Sequence, residues 1–364
     1  ELELSSESLL SLDVEDLATL NSLEAISNPN LRIATLPSTN TGTWSLLRLD
    51  SCDILGTLDA SGLGSAPPDI RVHLNSSLAG FLLPADSTPI TKFWAYSTAI
   101  TDLDFSDNDI GGAILIHSSL LETVDFGGVT NTTLVSNLSV YGCNLTGTLD
   151  VSPLLLGGIF QASGNTGLTG LTLPTTSAVF TTFRVNDCDL SSLDLSTLTG
   201  LGGDIRFHIN SSLASVTFPA TSELITRLRG NLCELTALDL SPLSNLSGNI
   251  EFYQNTTLAT LTMPSSNATA ITNFDFSNCD LGYFDLTGNT FSDNCDINLA
   301  GNSMVVAEVD HLLVDLDATL PATGTGTIDI SGTNAAPSNG AITTHDGIAA
   351  ATSLAGKGYT VITT

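Results

Sequence analysis

One phrase recurs along most of this chain: apolar, polar, apolar, two further residues, then Asn or Cys. It reads "LRLDSCDILGTLD" from Leu47, "LSVYGCNLTGTLD" from Leu138, "FRVNDCDLSSLDL" from Phe183, "LRGNLCELTALDL" from Leu228 and "FDFSNCDLGYFDL" from Phe274. Its opening alternation has the period of two that turns one set of side chains inward and the other outward on a strand. A companion phrase reads "NTGLTGLTLP" from Asn165, "NSSLASVTFP" from Asn210 and "NTTLATLTMP" from Asn255, at intervals of 45 residues. Earlier forms are "NPNLRIATLP" from Asn28 and "NSSLAGFLLP" from Asn75. Repeats of this length belong to stacked solenoid turns, and here each unit holds two turns of about 22–23 residues, one marked by Asn and one by Cys. Both turns also carry a second alternating run, such as "LDLS" or "LTLP", which predicts extended structure on another side and little helix.

The turn markers in order are Asn28, Cys52, Asn75, Thr98, His117, Cys143, Asn165, Cys188, Asn210, Cys233, Asn255, Cys279 and Asn302, with "TIDISGTN" near residue 328 as one more. Thr98 and His117 break the alternation, so an insertion or change of register is expected near "HSSLLETVDFGGVTNTT". Over roughly residues 20 to 335 the pattern resembles the leucine-rich repeat, L-x-x-L-x-L-x-x-(N/C)-x-L. The resemblance implies a β-dominated, right-handed solenoid of about 14 turns, with a parallel sheet on one face and capped ends. It also implies that each Asn or Cys turns inward to hydrogen-bond the backbone at the end of its strand. The Asn turns depart from the family pattern by reading N-x-x-L rather than N-x-L, and the second extended run points nearer to a β-helix than to a helical horseshoe.

Terminal turns of a solenoid must cover an otherwise bare apolar face. Residues 1–27 are expected to form an N-terminal cap, with helix-compatible spacing over "SSESLLSLDVEDLATLNSLEAI"; 28–303 form the repeats. Residues 304–364 form a C-terminal cap, in which apolar spacing from Met304 predicts a helix ended by Pro321, followed by the last turn and a strand-like "GYTVITT". This ending is similar to that of leucine-rich-repeat proteins of marine Bacteroidetes and their phages. The chain opens at Glu1 without an initiator Met or a charged-then-apolar leader, so a processed or upstream-extended chain is expected.

Stacking makes columns of equivalent residues the place to look for function. The residue between the first two apolar positions runs Glu24, Arg48, Arg71, Trp94, Ser139, Gln161, Arg184, Arg206, Arg229, Glu251, Asp275 and Asn298, and so gathers five of the nine basic side chains. Two positions on come Asp50, His73, Tyr96, Tyr141, Ser163, Asn186, His208, Asn231, Tyr253 and Ser277. Two candidate ligand-binding clusters follow: Arg48, Arg71, His73, Trp94 and Tyr96 with Tyr141 beyond, and Arg184, Arg206, His208 and Arg229 with Tyr253. Arg and aromatic side chains offer forked donors and rigid contact area for a protein or carbohydrate ligand, anionic where the charge is unanswered. The competing expectation is that Asp187, Glu251 and Asp50 neutralise the arginines. A third column, Asp59, Asp104, Asp150, Asp194, Asp239 and Asp285, reads as a solvated acidic edge that deters lateral strand pairing.

Composition narrows the function. With 38 acidic against 9 basic side chains the formal charge is −29, which disfavours nucleic acid and anionic membrane surfaces as partners. No apolar run reaches the length of a membrane span. Eight Asn-X-Ser/Thr sequons fall within the chance expectation for so Asn-rich a chain. Cys143, Cys188 and Cys233 recur every second turn, about 9–10 Å apart, beyond the reach of a disulfide. They are expected to be buried free thiols, with Cys295 the one conceivable partner for Cys279. No phosphate loop, Cys-x-x-Cys or His-x-x-x-His pair occurs, the five histidines suggest no triad, and no enzyme or cofactor is expected. Calcium has one candidate site, "DFSDND" at 104–109. The expected function is a non-enzymatic extracellular, cell-surface or virion recognition and adhesion module. The alternative is a structural subunit of a filament, virion fibre or surface layer, assembling head to tail through "ELEL" and "YTVITT".

Overall fold

A computed structural model describes residues 1–4, 8–118, 120–127, 131–267, 269–341 and 343–364. The chain is a β-solenoid of about 13 turns, in two compact units, Glu1–Phe180 and Thr181–Thr364. On one face each turn contributes a strand to parallel pairing. In the first unit these strands are Ser22–Glu24, Leu46–Arg48, Asp69–Arg71, Ile90–Trp94, Ile110–Leu115, Leu134–Ser139 and Leu155–Gln161. In the second they are Leu201–Arg206, Ser222–Arg229, Leu246–Glu251, Ile271–Asp275, Phe291–Asn298, Thr327–Asp329 and Thr360–Ile362. The strand Ser177–Arg184 contains the division.

The apolar residue next to last in each of these strands builds the core. Leu47, Ile70, Phe93, Ile114, Leu138 and Phe160 stand in register and are fully buried, as are Ile205, Leu228, Ile250 and Phe274 in the second unit. The second alternating run is extended as expected, and its short strands pair in twos, including Gly56–Asp59 with Leu78–Leu82 and Ser192–Asp194 with Ser215–Thr217. In these pairs the acidic column faces another residue type in most turns: Asp150 pairs with Thr172, Asp194 with Thr217 and Asp239 with Thr262. Each of these aspartates also closes its own turn, since Oδ1 of Asp59, Asp104, Asp150, Asp194, Asp239 and Asp285 accepts the N–H two residues on, at 2.7–2.9 Å. The acidic edge is thus also a row of turn caps.

The alternation of Asn and Cys has a mechanical reason. Asn210 Nδ2 donates to Val185 O of the preceding turn (3.0 Å) and to Phe207 O of its own (2.7 Å), while its Oδ1 accepts the Leu190 N–H (3.1 Å). Asn75, Asn165, Asn255 and Asn302 make the same three bonds. Leu190 lies two residues after Cys188, and the Cys turns are the short ones. The turns at Asn28, Asn75, Asn165, Asn210 and Asn255 each close a four-residue turn, as in Leu213 N to Asn210 O (2.9 Å), which accounts for N-x-x-L. A Cys turn lacks that extra residue and leaves an amide that the next Asn accepts. The thiol supplies the remaining donor: Cys52, Cys143, Cys233 and Cys279 point Sγ at a carbonyl of the preceding turn at 3.2–3.5 Å. All six cysteines are free and buried, and burial pushes Cys143 and Cys233 up to about 11 and Cys279 and Cys295 up to about 12.

The ends differ from expectation in two places. The N-terminal region builds strands in its described part: Leu2–Glu3 pairs with Ser22–Glu24, and Ser11–Asp13 with Ile33–Thr35. Helical spacing over a run this short is ambiguous, and pairing with the next turn satisfies the backbone; residues 5–7 of that reading lie outside the described residues. At the other end the helix after Met304 is present as α1, Val306–Thr319, and the final strand as Thr360–Ile362. A second helix, α2, Gly347–Gly356, was not anticipated, although Asp346 caps it through Ala349 N at 2.9 Å.

Candidate functional site

The arginine column lies in the register read from the sequence. Glu24 pairs with Arg48, Arg48 with Arg71, Arg71 with Trp94, Ser139 with Gln161, Arg206 with Arg229 and Arg229 with Glu251. The irregular turn supplies Leu115 between Trp94 and Ser139. His117 therefore stands two residues beyond the column, level with His73, Tyr96 and Tyr141, and is not a turn marker. That assignment is corrected by the backbone bonds from Ser97 N to His117 O and from Leu74 N to Tyr96 O. The marker position two residues later is 119, outside the described residues, as are 128–130 of the expected insertion.

In the first unit this places four rings on successive turns. Centroids are 4.4 Å apart for His73 and Tyr96, 5.9 Å for Tyr96 and His117, and 4.0 Å for His117 and Tyr141, with tilts of 30–39°. Rings at these separations and tilts are in the range of favourable aromatic contact. Trp94 lies beside this ladder, 5.6 Å from His73, with the Arg71 guanidinium 4.8 Å and the Lys92 ammonium 5.4 Å from its ring centre. Tyr141 is exposed, whereas His73 is buried. Burial, aided by Arg71 and Arg48 and opposed by Asp50, pushes the His73 imidazole down; burial alone does so for His117, whose Nε2 meets Ser139 Oγ at 2.9 Å. Both rings are neutral near pH 7.

Carboxylates answer the arginines, but mostly from a column that sequence reading passed over. Two residues before the arginine column stand Asp69, Lys92, Asp204 and Arg227. Asp69 takes Arg71 in a fork at 2.8 and 2.7 Å and Lys92 at 3.3 Å. Burial would raise the Asp69 carboxyl; the Arg71 hydrogen bonds and charge, with Lys92, outweigh it and hold the group below its usual range. Arg48 pairs with Glu24 at 3.1 Å and Asp50 at 3.4 Å. The three basic side chains of this face of the first unit are thereby answered by three carboxylates.

In the second unit Asp204 is shared: Arg206 forks onto it at 2.8 and 2.7 Å, and Arg184 reaches it at 2.6 Å. Arg229 lies 2.6 Å from Glu251. Of the neutralising acids expected, Glu251 and Asp50 take that role, and Asp187 has no ion pair among the described residues. His208 is buried beside Arg229 and Arg206, and burial together with those charges pushes it down to about 4. Tyr253 stands in its column but makes no ring contact among the described residues. The second column is less outward than expected, because Asp50, His73, His208, Asn231 and Ser277 are all buried between neighbouring turns.

Around 104–109 two of the three carboxylates are engaged by protein donors: Asp104 by Ser106 N at 2.8 Å, and Asp109 by the hydroxyls of Thr132 and Thr133 at 2.9 and 3.1 Å. Among the described residues no group of three or more His, Cys, Asp or Glu side chains converges as a metal site, and no helix is long and apolar enough to cross a membrane. No family model, no curated protein and no solved structure matches the chain. What the fold and the site define is a class, a β-solenoid bearing a ring-and-guanidinium strand face.

Proposed function

We propose that the chain is a non-enzymatic, extracellular recognition module that binds a protein partner through the strand face of its first unit. The supporting observation is the ladder of His73, Tyr96, His117 and Tyr141 with Trp94 alongside. Rigid amphipathic rings and arginines concentrate binding energy at protein interfaces, and here the charges are balanced before a partner arrives. Protein and glycan arrays probed with the wild-type chain and with a Trp94→Ala/Tyr96→Ala variant of matched thermal stability test this. Protein ligands lost at least tenfold by the variant are expected, and undiminished protein binding sinks the proposal.

A second reading, a structural subunit, rests on the terminal strands. Among the described residues, Leu2–Glu3 pairs only with Ser22–Glu24 and Thr360–Ile362 only with Thr327–Asp329, so each leaves one strand edge without a sheet partner there. Electron microscopy at high protein concentration distinguishes the two, since a subunit of this kind forms end-to-end polymers and a recognition module stays dispersed.

A further inference from the structure

The arginine-bearing turns of the second unit carry a local charge imbalance that the first unit lacks. Arg184, Arg206 and the pair Arg227 and Arg229 stand on three consecutive turns, and the carboxylates paired with these arginines are Asp204 and Glu251. Arg227 is level with Asp204 on one side and Asn249 on the other, yet Asp204 is already taken by Arg184 and Arg206. Arg227 is half-buried, and its side chain has no hydrogen bond or ion pair to any described residue. Half-burying a guanidinium beside two others costs free energy unless an anion answers it. The neighbouring polar groups are unsatisfied too: Nε of Arg184, Nδ1 of His208 and Oδ1 of Asn231 are buried without a protein partner.

We propose that Arg206, Arg227 and Arg229 form a binding site for the anionic groups, carboxylate or sulfate, of an acidic polysaccharide. Forked guanidinium donors match the planar or tetrahedral oxygens of either group. The two columns around the site hold, from Thr182 to Asp275, only polar side chains, with Asn249 and Asn273 able to donate to and accept from hydroxyls. A protein segment would find no apolar anchor in those columns. In a chain of charge −29 the site is also local, so it selects a partner that is anionic at spaced points and hydroxylated between them. The site is separate from the ring ladder and stands or falls without it.

The test uses the full chain with polygalacturonate, dextran sulfate, neutral dextran and poly-glutamate as probes, in calorimetric titrations at low and moderate salt. Binding to polygalacturonate, dextran sulfate or both is expected, identifying the carboxylate or the sulfate as the preferred anion, with affinity falling as salt rises. Arg227→Gln, which removes no side-chain hydrogen bond or ion pair within the described residues, should weaken that binding at least tenfold, and Arg227→Lys should restore part of it. Failure to bind either acidic polysaccharide, equal binding by Arg227→Gln, or equal binding of neutral dextran overturns the proposal. Tighter binding of poly-glutamate overturns the polysaccharide assignment. The Trp94→Ala/Tyr96→Ala variant should bind these probes like wild type, which separates a failure here from a failure of the proposed protein interface.

Discussion

At Asn210 one side-chain amide satisfies two carbonyls and one amide from two adjacent turns while fully buried. Asn210→Ala would leave these groups without partners in the interior. It should lower the unfolding free energy by about 3 kcal/mol, read as a fall in the urea midpoint. His208 predicts a different signature. Its folded-state pKa of about 4 lies below the unfolded value of 6.5, so the folded state disfavours the proton. The stability it contributes is complete above pH 6.5 and is lost as pH falls toward 4, by roughly 3 kcal/mol at most. The facing groups are Arg206 and Arg229, which oppose the proton, and Asp204, which favours it. The relief of overall acidic self-repulsion at low pH is shared by wild type and a His208→Asn variant. Subtracting their urea midpoints across pH 4–7 therefore isolates the histidine, and parallel curves would refute its assignment. Such burial is not legible in a sequence: Asp50, His73 and His208 occupy outward positions of an alternating strand, yet adjacent turns close over them.

Among the elements, the strands were the legible part. Alternation fixed their place and register well enough to align Arg48 with Arg71 and Arg206 with Arg229, because a shift by one residue would turn the core outward. The ion-pair column of Asp69 and Asp204 escaped notice because strand length, unlike register, is not written in the repeat. Extension backward from Arg71 and Arg206 brings those acids onto the same face. Helix α2 escaped for another reason: its Ala-rich run lacks a strong apolar stripe, and only Asp346 and the glycines around it mark its ends. What holds the loop before α2 is Asp310 on α1, buried and accepting from Ser338 N at 2.7 Å, Ser338 Oγ at 2.5 Å and Thr343 Oγ1 at 2.6 Å. Asp310→Ala should free this loop, raising amide exchange across 336–358 while leaving the strands of residues 201–298 protected. Uniform deprotection of both regions would show that the cap and the repeats unfold together.

For the molecule as a whole, the Asn and Cys turns are not interchangeable, because each Asn completes the shorter Cys turn before it. Excision of residues 188–232, which joins Asp187 to Cys233 and removes one Cys turn with one Asn turn, should leave a folded chain with native-like circular dichroism. Excision of 188–209 alone, which places an Asn turn where a Cys turn belongs, should yield an unfolded or aggregated product. Equal folding of the two deletions would refute the interlocked pair. This places a constraint on inheritance that no single turn reveals. Unequal recombination between such repeats would give viable chains only in steps of one double turn, 45–47 residues. Length variants in a population would therefore form a ladder with that spacing, the intermediate sizes being removed by misfolding before any partner is met.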